Sequence, residues 1–298
     1  MSGRQPMFEQ LGLIGCGLMG SSFALALRQA GLVKRVVGYS KSPSTTEQAR
    51  QLGIIDVEAP SALLAASGAD IVLLAVPVAA VGPTLKAIRP LVTPHMLVMD
   101  VGSTKADVVE AAREALRDAI GSFVPAHPIA GAEASGPAKA RADLYRDRQV
   151  VLTPIERTLT AQLQKARAVW EALGCSVRLM APDTHDAALA AVSHLPHLLA
   201  FAAMNAVADH PQGADFLGLA GPGFRDYSRI AAANPEMWRD VLLANRHELR
   251  AQADAFRAAL AALEDAMERQ DGEKLEALIA RASRSRAAWR MRTAGEPS

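Results

Sequence analysis

Leu11-Gly12-Leu13-Ile14-Gly15-Cys16-Gly17-Leu18-Met19-Gly20-Ser21-Ser22-Phe23-Ala24 is the stretch whose reading decides the fold. An apolar strand runs into three glycines spaced GxGxxG, then into a helix that continues through Ala24-Leu25-Ala26-Leu27. Gly15 permits the tight turn out of the strand, Gly17 lets backbone amides approach a pyrophosphate, and Gly20 lets the helix pack closely on the sheet. The helix N-terminus adds N–H groups and the positive end of a dipole. Taken alone the motif is a glycine-rich turn. With these flanks it predicts a cradle for a nicotinamide or flavin nucleotide, with Gly15, Cys16, Gly17, Leu18, Met19 and Gly20 against the phosphates.

The segments that follow extend the pattern. Arg35–Tyr39 reads as the second strand, and it ends at Ser40, where such folds choose between their two nicotinamide cofactors. A carboxylate there would hold a ribose 2′-hydroxyl; instead Ser40, Lys41, Ser42 and Thr45 offer hydroxyls and one cation. That set leans towards NADP, with NAD as the other choice. Asp70–Pro77 and Met96–Val101 are continuous apolar runs, the mark of strands buried on both faces. The end of the first, Val76-Pro77, is expected to pass under the cofactor. Helices over Ser61–Ala66, Ala79–Arg89 and Lys105–Ala119 alternate with these strands, which predicts a doubly wound α/β domain with ligands at the carboxyl ends of the strands.

A further strand, Ser122–Ala126, delivers His127-Pro128-Ile129-Ala130-Gly131 to that edge. A base facing the cleft and a satisfied structural histidine are both consistent with His127 there. Glu133–Arg148 reads as a flap over the site. A strand over Gln149–Pro154, a helix over Leu159–Leu173 and a strand over Ser176–Met180 close a first domain spanning 1–181. From 182 to 298 no strand pattern appears; helices are expected over His185–Asp209, Pro235–Glu268 and Gly272–Arg292, with a linker over Gly213–Asn234.

The totals agree with two soluble domains. The chain has 298 residues, half of them hydrophobic, with 32 basic and 31 acidic side chains, a balance that gives no reason to expect nucleic acid as a partner. The basic cluster at Arg281, Arg284, Arg286, Arg290 and Arg292 reads as a solvated helix face. Cys16 and Cys175 form neither a disulfide framework nor a metal spacing, which suits a reducing cytoplasm, and no apolar segment of signal-peptide length precedes the first strand. Ala187–Ala208 is long enough to span a bilayer but carries Ser193, His194, Pro196, His197 and Asn205. It is therefore read as a buried helix covered by other helices or a second subunit, with no membrane contact. His194 and His197, three apart, share a helix face and could either meet a substrate or satisfy buried partners. No third ligand stands at metal spacing, so no metal is expected.

Six segments now carry a resemblance: Gly15–Gly20, Asp100-Val101-Gly102-Ser103-Thr104-Lys105, His127–Gly131, Ser193-His194-Leu195-Pro196-His197, Gly223–Arg229 and Met237-Trp238-Arg239-Asp240. Running in order through most of the chain, they resemble the prephenate/arogenate (cyclohexadienyl) dehydrogenase family of tyrosine biosynthesis. The resemblance implies a Rossmann-type N-terminal domain, an all-helical C-terminal dimerisation domain and a homodimer. It also implies oxidative decarboxylation of a cyclohexadienol, with His127 as base, Ser103 hydrogen-bonded to it or to the substrate hydroxyl, and Arg229 on a substrate carboxylate. His197 would lie near the substrate side chain, His194 beside it, and Asp226 would orient Arg229 or a helix end. Ala132 stands where the family pattern has threonine, which removes a hydroxyl contact. Prephenate and arogenate share the ring chemistry, and both stay open, as does a dual-substrate enzyme. No chorismate mutase segment or added regulatory domain is expected, so feedback by tyrosine would act at the active site. The rival readings are a β-hydroxyacid dehydrogenase of the same fold and a non-catalytic NADP sensor.

Overall fold

The computed structural model describes residues 6–131 and 135–290. Ala132, the first residues of the expected flap and Arg292 lie outside them. The chain divides into two compact units, one running to Asp186 and including Ala233–Ala244, the other made of Ala187–Ala232 and the chain from Asn245.

In the first unit, six parallel strands form one sheet: β1 (Phe8–Ile14), β2 (Val33–Tyr39), β3 (Val57–Glu58), β4 (Ile71–Leu74), β5 (Leu97–Asp100) and β6 (Phe123–Val124). Their order is β3-β2-β1-β4-β5-β6. The connecting helices are α1 (Leu18–Gln29), α2 (Pro43–Gln51), α3 (Ala62–Ala66), α4 (Val78–Ile88) and α5 (Ala106–Leu116). The sheet is buried on both faces because its side chains alternate between two cores. Leu11, Leu13, Ile71, Leu73, Leu97 and Met99 join Phe23 and Leu27 of α1, whereas Ile14, Val72, Leu74 and Val98 join Val81 and Leu85 of α4 and Val108 and Ala112 of α5. The apolar runs of the sequence thus mark buried parallel strands, as expected.

Two expected elements resolve differently. Ser122–Ala126 is not one strand. Pro125 has no N–H for a ladder, and the chain leaves the first sheet after Val124 to begin a second, three-stranded sheet. That sheet comprises β7 (Ala126–Pro128), β8 (Gln149–Leu152) and β9 (Ser176–Leu179), with α6 (Thr160–Ala172) between the last two. The expected flap is, in its described part, a docked segment. Tyr145 is fully buried and donates its hydroxyl to the Met19 carbonyl (2.7 Å), while Arg141 N donates to Ser22 Oγ (3.1 Å). Tyr145 also stacks edge-on with Trp170 (5.3 Å between centroids), which in turn meets Phe23 at 5.0 Å. A chain with only 4% aromatic residues concentrates three of them where this segment clamps α1.

The crossing between the sheets is held by a buried ion pair. Asp100, at the end of β5, pairs with Lys105, both side chains being wholly inaccessible. Lys105 Nζ also donates to the Ala126 carbonyl (2.9 Å), and Asp100 Oδ1 and Oδ2 accept from Ala126 N (3.1 Å) and Gly102 N (2.8 Å).

The second unit is helical. α7 (Pro182–Leu189) passes through a π turn over Ala190–His194 into α8 (Leu195–Ala208), and α9 (Gly213–Gly218), α10 (Pro222–Ser228) and a 3₁₀ turn over Arg229–Ala232 follow where only a linker was expected. The expected helix over Pro235–Glu268 breaks at Asn245 into α11 (Pro235–Ala244), which belongs to the first unit, and α12 (Arg246–Glu268); α13 (Gly272–Ala288) comes last. The break is chemical: Asn245 takes a non-helical conformation as N-cap of α12 and gives its side chain to His194. Pro196, lacking an N–H, cannot donate to the Val192 carbonyl, and the backbone widens into the π turn just before it. Within the described chain the run containing 187–208 is mostly uncovered, contrary to a helix buried by its own chain: only 17% of its apolar window is buried.

Replacing Lys105 with Met leaves the Asp100 carboxylate buried without its cation, and is expected to lower stability by about 3–5 kcal/mol. Tyr145→Phe removes one neutral hydrogen bond and is expected to cost about 0.5–1.5 kcal/mol. Urea midpoints of the two variants, measured side by side, check the ranking.

Candidate active site

The glycine loop fits a dinucleotide. Gly15 sits at φ +101, and a Cβ there would lie 2.2 Å from the Ala75 carbonyl oxygen. A Cβ on Gly20 would lie 2.1 Å from the Gly15 oxygen, which brings α1 tight against the strand end. At Gly17 nothing lies within 4 Å of the added carbon. Gly17 is the N-cap of α1 without a side-chain cap, so the first-turn amides face this open space. Leu18 and Met19 form that first turn and are partly buried. Cys16 is buried beneath the loop, where loss of solvent pushes its thiol up to about 11, so it packs as a protonated apolar group.

The loop after β2 is tied to the glycine turn. Ser40 Oγ accepts from Cys16 N (2.7 Å), and Ser40 N donates to Thr46 Oγ1 (3.0 Å). Ser42 caps α2 and shares a hydrogen bond with Ser44 (2.9 Å), while Lys41 is exposed. The hydroxyl that braces Ser40 is that of buried Thr46, and its neighbour Thr45, the expected cofactor contact, is partly exposed. Val76 and Pro77 follow β4, and Pro77 caps α4.

His127 lies within β7, opposite Val151, and not on a turn after a strand as expected. Its Nδ1 is 2.8 Å from Nε2 of His185, the two rings meeting edge-on at 5.0 Å between centroids. His185 is fully buried, and its Nδ1 lies 2.7 Å from Asp186 Oδ1. Asp186 in turn accepts from Lys105 N and Ala106 N (2.8 Å each) at the start of α5, a favourable place for a carboxylate. Ser103 stands in the same β5–α5 connection, but the group on His127 Nδ1 is His185. His185, Asp186, Asp100 and Lys105 were all absent from the sequence-derived site. The legible signal for His185 and Asp186 was a His-Asp pair at the head of an apolar helix, and Asp100 and Lys105 stand at the two ends of the segment Asp100–Lys105.

In the second unit the two paired histidines take different parts. His194 is buried, at 1% exposure, and its Nδ1 accepts from the Asn245 amide (3.0 Å), so it braces the start of α12. His197 is partly exposed, and its Nδ1 donates to the Ser193 carbonyl (2.9 Å). Burial, and secondarily the Arg229 charge, hold His197 below its ordinary range despite the opposing carbonyl bond, which favours a neutral ring near neutral pH. Asp226 is exposed and paired with its neighbour Arg225 (3.2 Å).

Comparison with known proteins gives this geometry a family. The model for the prephenate dehydrogenase nucleotide-binding domain matches residues 23–179, and that for the prephenate dehydrogenase dimerization domain matches 181–281. The cyclohexadienyl dehydrogenase of Zymomonas mobilis is 34% identical over 271 residues, covering 90% of this chain and 92% of that protein. The crystal structure of Aquifex aeolicus prephenate dehydrogenase in complex with hydroxyphenyl propionate and NAD+ superposes with a TM-score of 0.88 at 33% identity, covering 94% of this chain and 97% of that one. The Synechocystis arogenate dehydrogenase structure gives 0.79 at 32% identity, covering 93% and 99%. The chain belongs to the prephenate/cyclohexadienyl dehydrogenase family of NAD(P)-dependent oxidoreductases in tyrosine biosynthesis, which decides against the β-hydroxyacid dehydrogenase and sensor readings.

Proposed function

We propose that the protein oxidatively decarboxylates both arogenate and prephenate, with His127 as the base that takes the ring hydroxyl proton. The observation that carries this is the setting of His127, a partly exposed imidazole within β7 held by a buried histidine. Held by its phosphates on the glycine loop, a bound dinucleotide would supply the nicotinamide acceptor for the hydride leaving the hydroxyl-bearing ring carbon. His127 accepts the hydroxyl proton as that hydride departs. The ring carboxylate then leaves as carbon dioxide, its bonding pair enters the ring, and the phenolic oxygen recovers the proton from His127. Ser103 hydrogen-bonds the hydroxyl, Arg229 pairs with a substrate carboxylate, and neutral His197 contacts the side chain. Aromatisation makes the step hard to reverse.

For the cofactor, the structure of the A. aeolicus relative was solved with NAD+. In this chain no carboxylate stands at the end of β2. Ser40 uses its oxygen to accept from Cys16, which leaves its own proton for a donor role, and Lys41 stands exposed beside it. These features support use of NADP in preference to NAD. A homodimer is supported by the dimerization-domain match and by exposed Val192, Leu219, Met267 and Ile279 in the helical unit. Buried free Cys16 and Cys175 suit the cytoplasm.

His127→Ala is expected to lower kcat by about 10²–10⁴-fold on either substrate while dinucleotide binding by fluorescence titration is retained. Retained turnover would overturn the assignment of the base. Lys41→Ala is expected to lower kcat/KM for NADP by about tenfold and leave the value for NAD within about twofold, an electrostatic contribution of about 1.4 kcal/mol. Absorbance assays of the four substrate–cofactor pairings check the substrate and cofactor assignments together.

A further inference from the structure

With both imidazoles neutral, the hydrogen bonds behind His127 have only one consistent direction. Asp186 can only accept, and it receives backbone N–H groups from Lys105 and Ala106. The ring nitrogen facing it, His185 Nδ1 at 2.7 Å, must therefore carry a hydrogen. A neutral His185 then has its lone pair on Nε2, and that atom faces His127 Nδ1 at 2.8 Å. Two lone pairs do not share a hydrogen bond, so the hydrogen lies on His127 Nδ1. We propose that His185, oriented by Asp186, is a positioning residue that fixes His127 with its proton on Nδ1 and its basic lone pair on Nε2. This rests on the reading of His127 as the base and names the machinery behind it.

The surroundings serve the same end. Lys105 bears on both members of the pair: its ammonium holds the carbonyl of Ala126, next to His127, and its backbone N–H holds Asp186, next to His185. Asp100 takes the Ala126 N–H from the other side. One buried residue thereby sets the spacing between β7 and the head of α7. His185 has no solvent exposure, so water does not compete for either ring nitrogen. The arrangement answers a chemical need. Neutral histidine divides between two tautomers, and one of them would place hydrogen on the atom that must accept the substrate proton. Once Nε2 is protonated, the imidazolium keeps an acceptor in His185 Nε2, backed by the Asp186 charge. The proton can then be held until the phenolic oxygen takes it back.

Three variants of the full-length enzyme test the proposal. His185→Leu removes the acceptor and is expected to lower kcat by about 10²-fold or more with KM within about threefold, and to move the acid limb of the kcat–pH profile down by about one unit. His185→Gln can still present a carbonyl oxygen to His127 Nδ1 and is expected to recover most of the activity and the wild-type profile. Asp186→Asn offers an amide N–H to His185, reverses both tautomers, and is expected to lower kcat by about 10²–10⁴-fold. A readout without turnover is the ring ¹⁵N spectrum of histidine-labelled protein above pH 8, with His127 identified from its own variant among the seven histidines. The wild type should show hydrogen on His127 Nδ1, and Asp186→Asn should show it on Nε2. Hydrogen on Nε2 in the wild type, a His185→Leu enzyme with unchanged kcat and pH profile, or equal losses in the Leu and Gln variants without a shift of the profile would each overturn the proposal. Failure of the base assignment itself is separable, because it appears as activity in His127→Ala, whatever the spectrum shows.

Discussion

The buried pair of Asp100 and Lys105 is the constraint on which the remaining geometry depends. Two charges without solvent are expensive to hold, and their mutual attraction offsets the cost only when their other hydrogen-bonding positions are also filled. Here they are filled largely by backbone: Gly102 and Ala126 on the carboxylate, the Ala126 carbonyl on the ammonium. Those backbone groups belong to the end of β5 and the start of β7, so satisfying the charges means holding the second sheet at a fixed place on the first. An apolar pair of similar volume could fill the space, but it could not fix the peptide that leads into His127. The pair's expense is matched by the position it defines.

A similar economy governs the nucleotide end of the unit. The glycine loop must stay open in front, where phosphates approach, and rigid behind. Its rear is braced by Gly15 N on the Tyr39 carbonyl and by Ser40 on Cys16, and the nearness of the Ala75 carbonyl admits only glycine at position 15. On the far side of α1, Tyr145 adds a hydrogen bond to Met19, in the helix turn that faces the open space. The first half of the helix is thus held by residues more than a hundred positions away, in the segment whose charges suggested a flap over the site.

What the sequence disclosed and what it hid follow from the range of the interactions. Most of the six-stranded sheet was legible because burial on both faces writes continuous apolar runs, the two-residue β3 being too short to write one, and the loop was legible because its glycines answer local steric demands. His127, Ser103, His197 and Arg229 stood out because each lies in a compact motif. His185 and Asp186 did not, since they meet His127 and α5 across separations of 58 and about eighty residues that no periodicity records. Asp100 reads locally as the end of a strand and Lys105 as the start of a helix, and nothing in either segment shows that the two side chains pair in the interior. The break at Asn245 was hidden for a similar reason: its cause is a histidine 51 residues earlier.

The helical unit shows how two like residues acquire unlike tasks. His194 and His197, three apart, would share one face of a regular helix and one environment. The π turn ending at His194 and the proline after it change that register. One ring is turned inward to Asn245, and the other stays near the surface beside Arg229. The nearby guanidinium then works against protonation of His197, so positive charge is concentrated on the arginine, whose planar fork matches a carboxylate, and the histidine is kept as a neutral polar group.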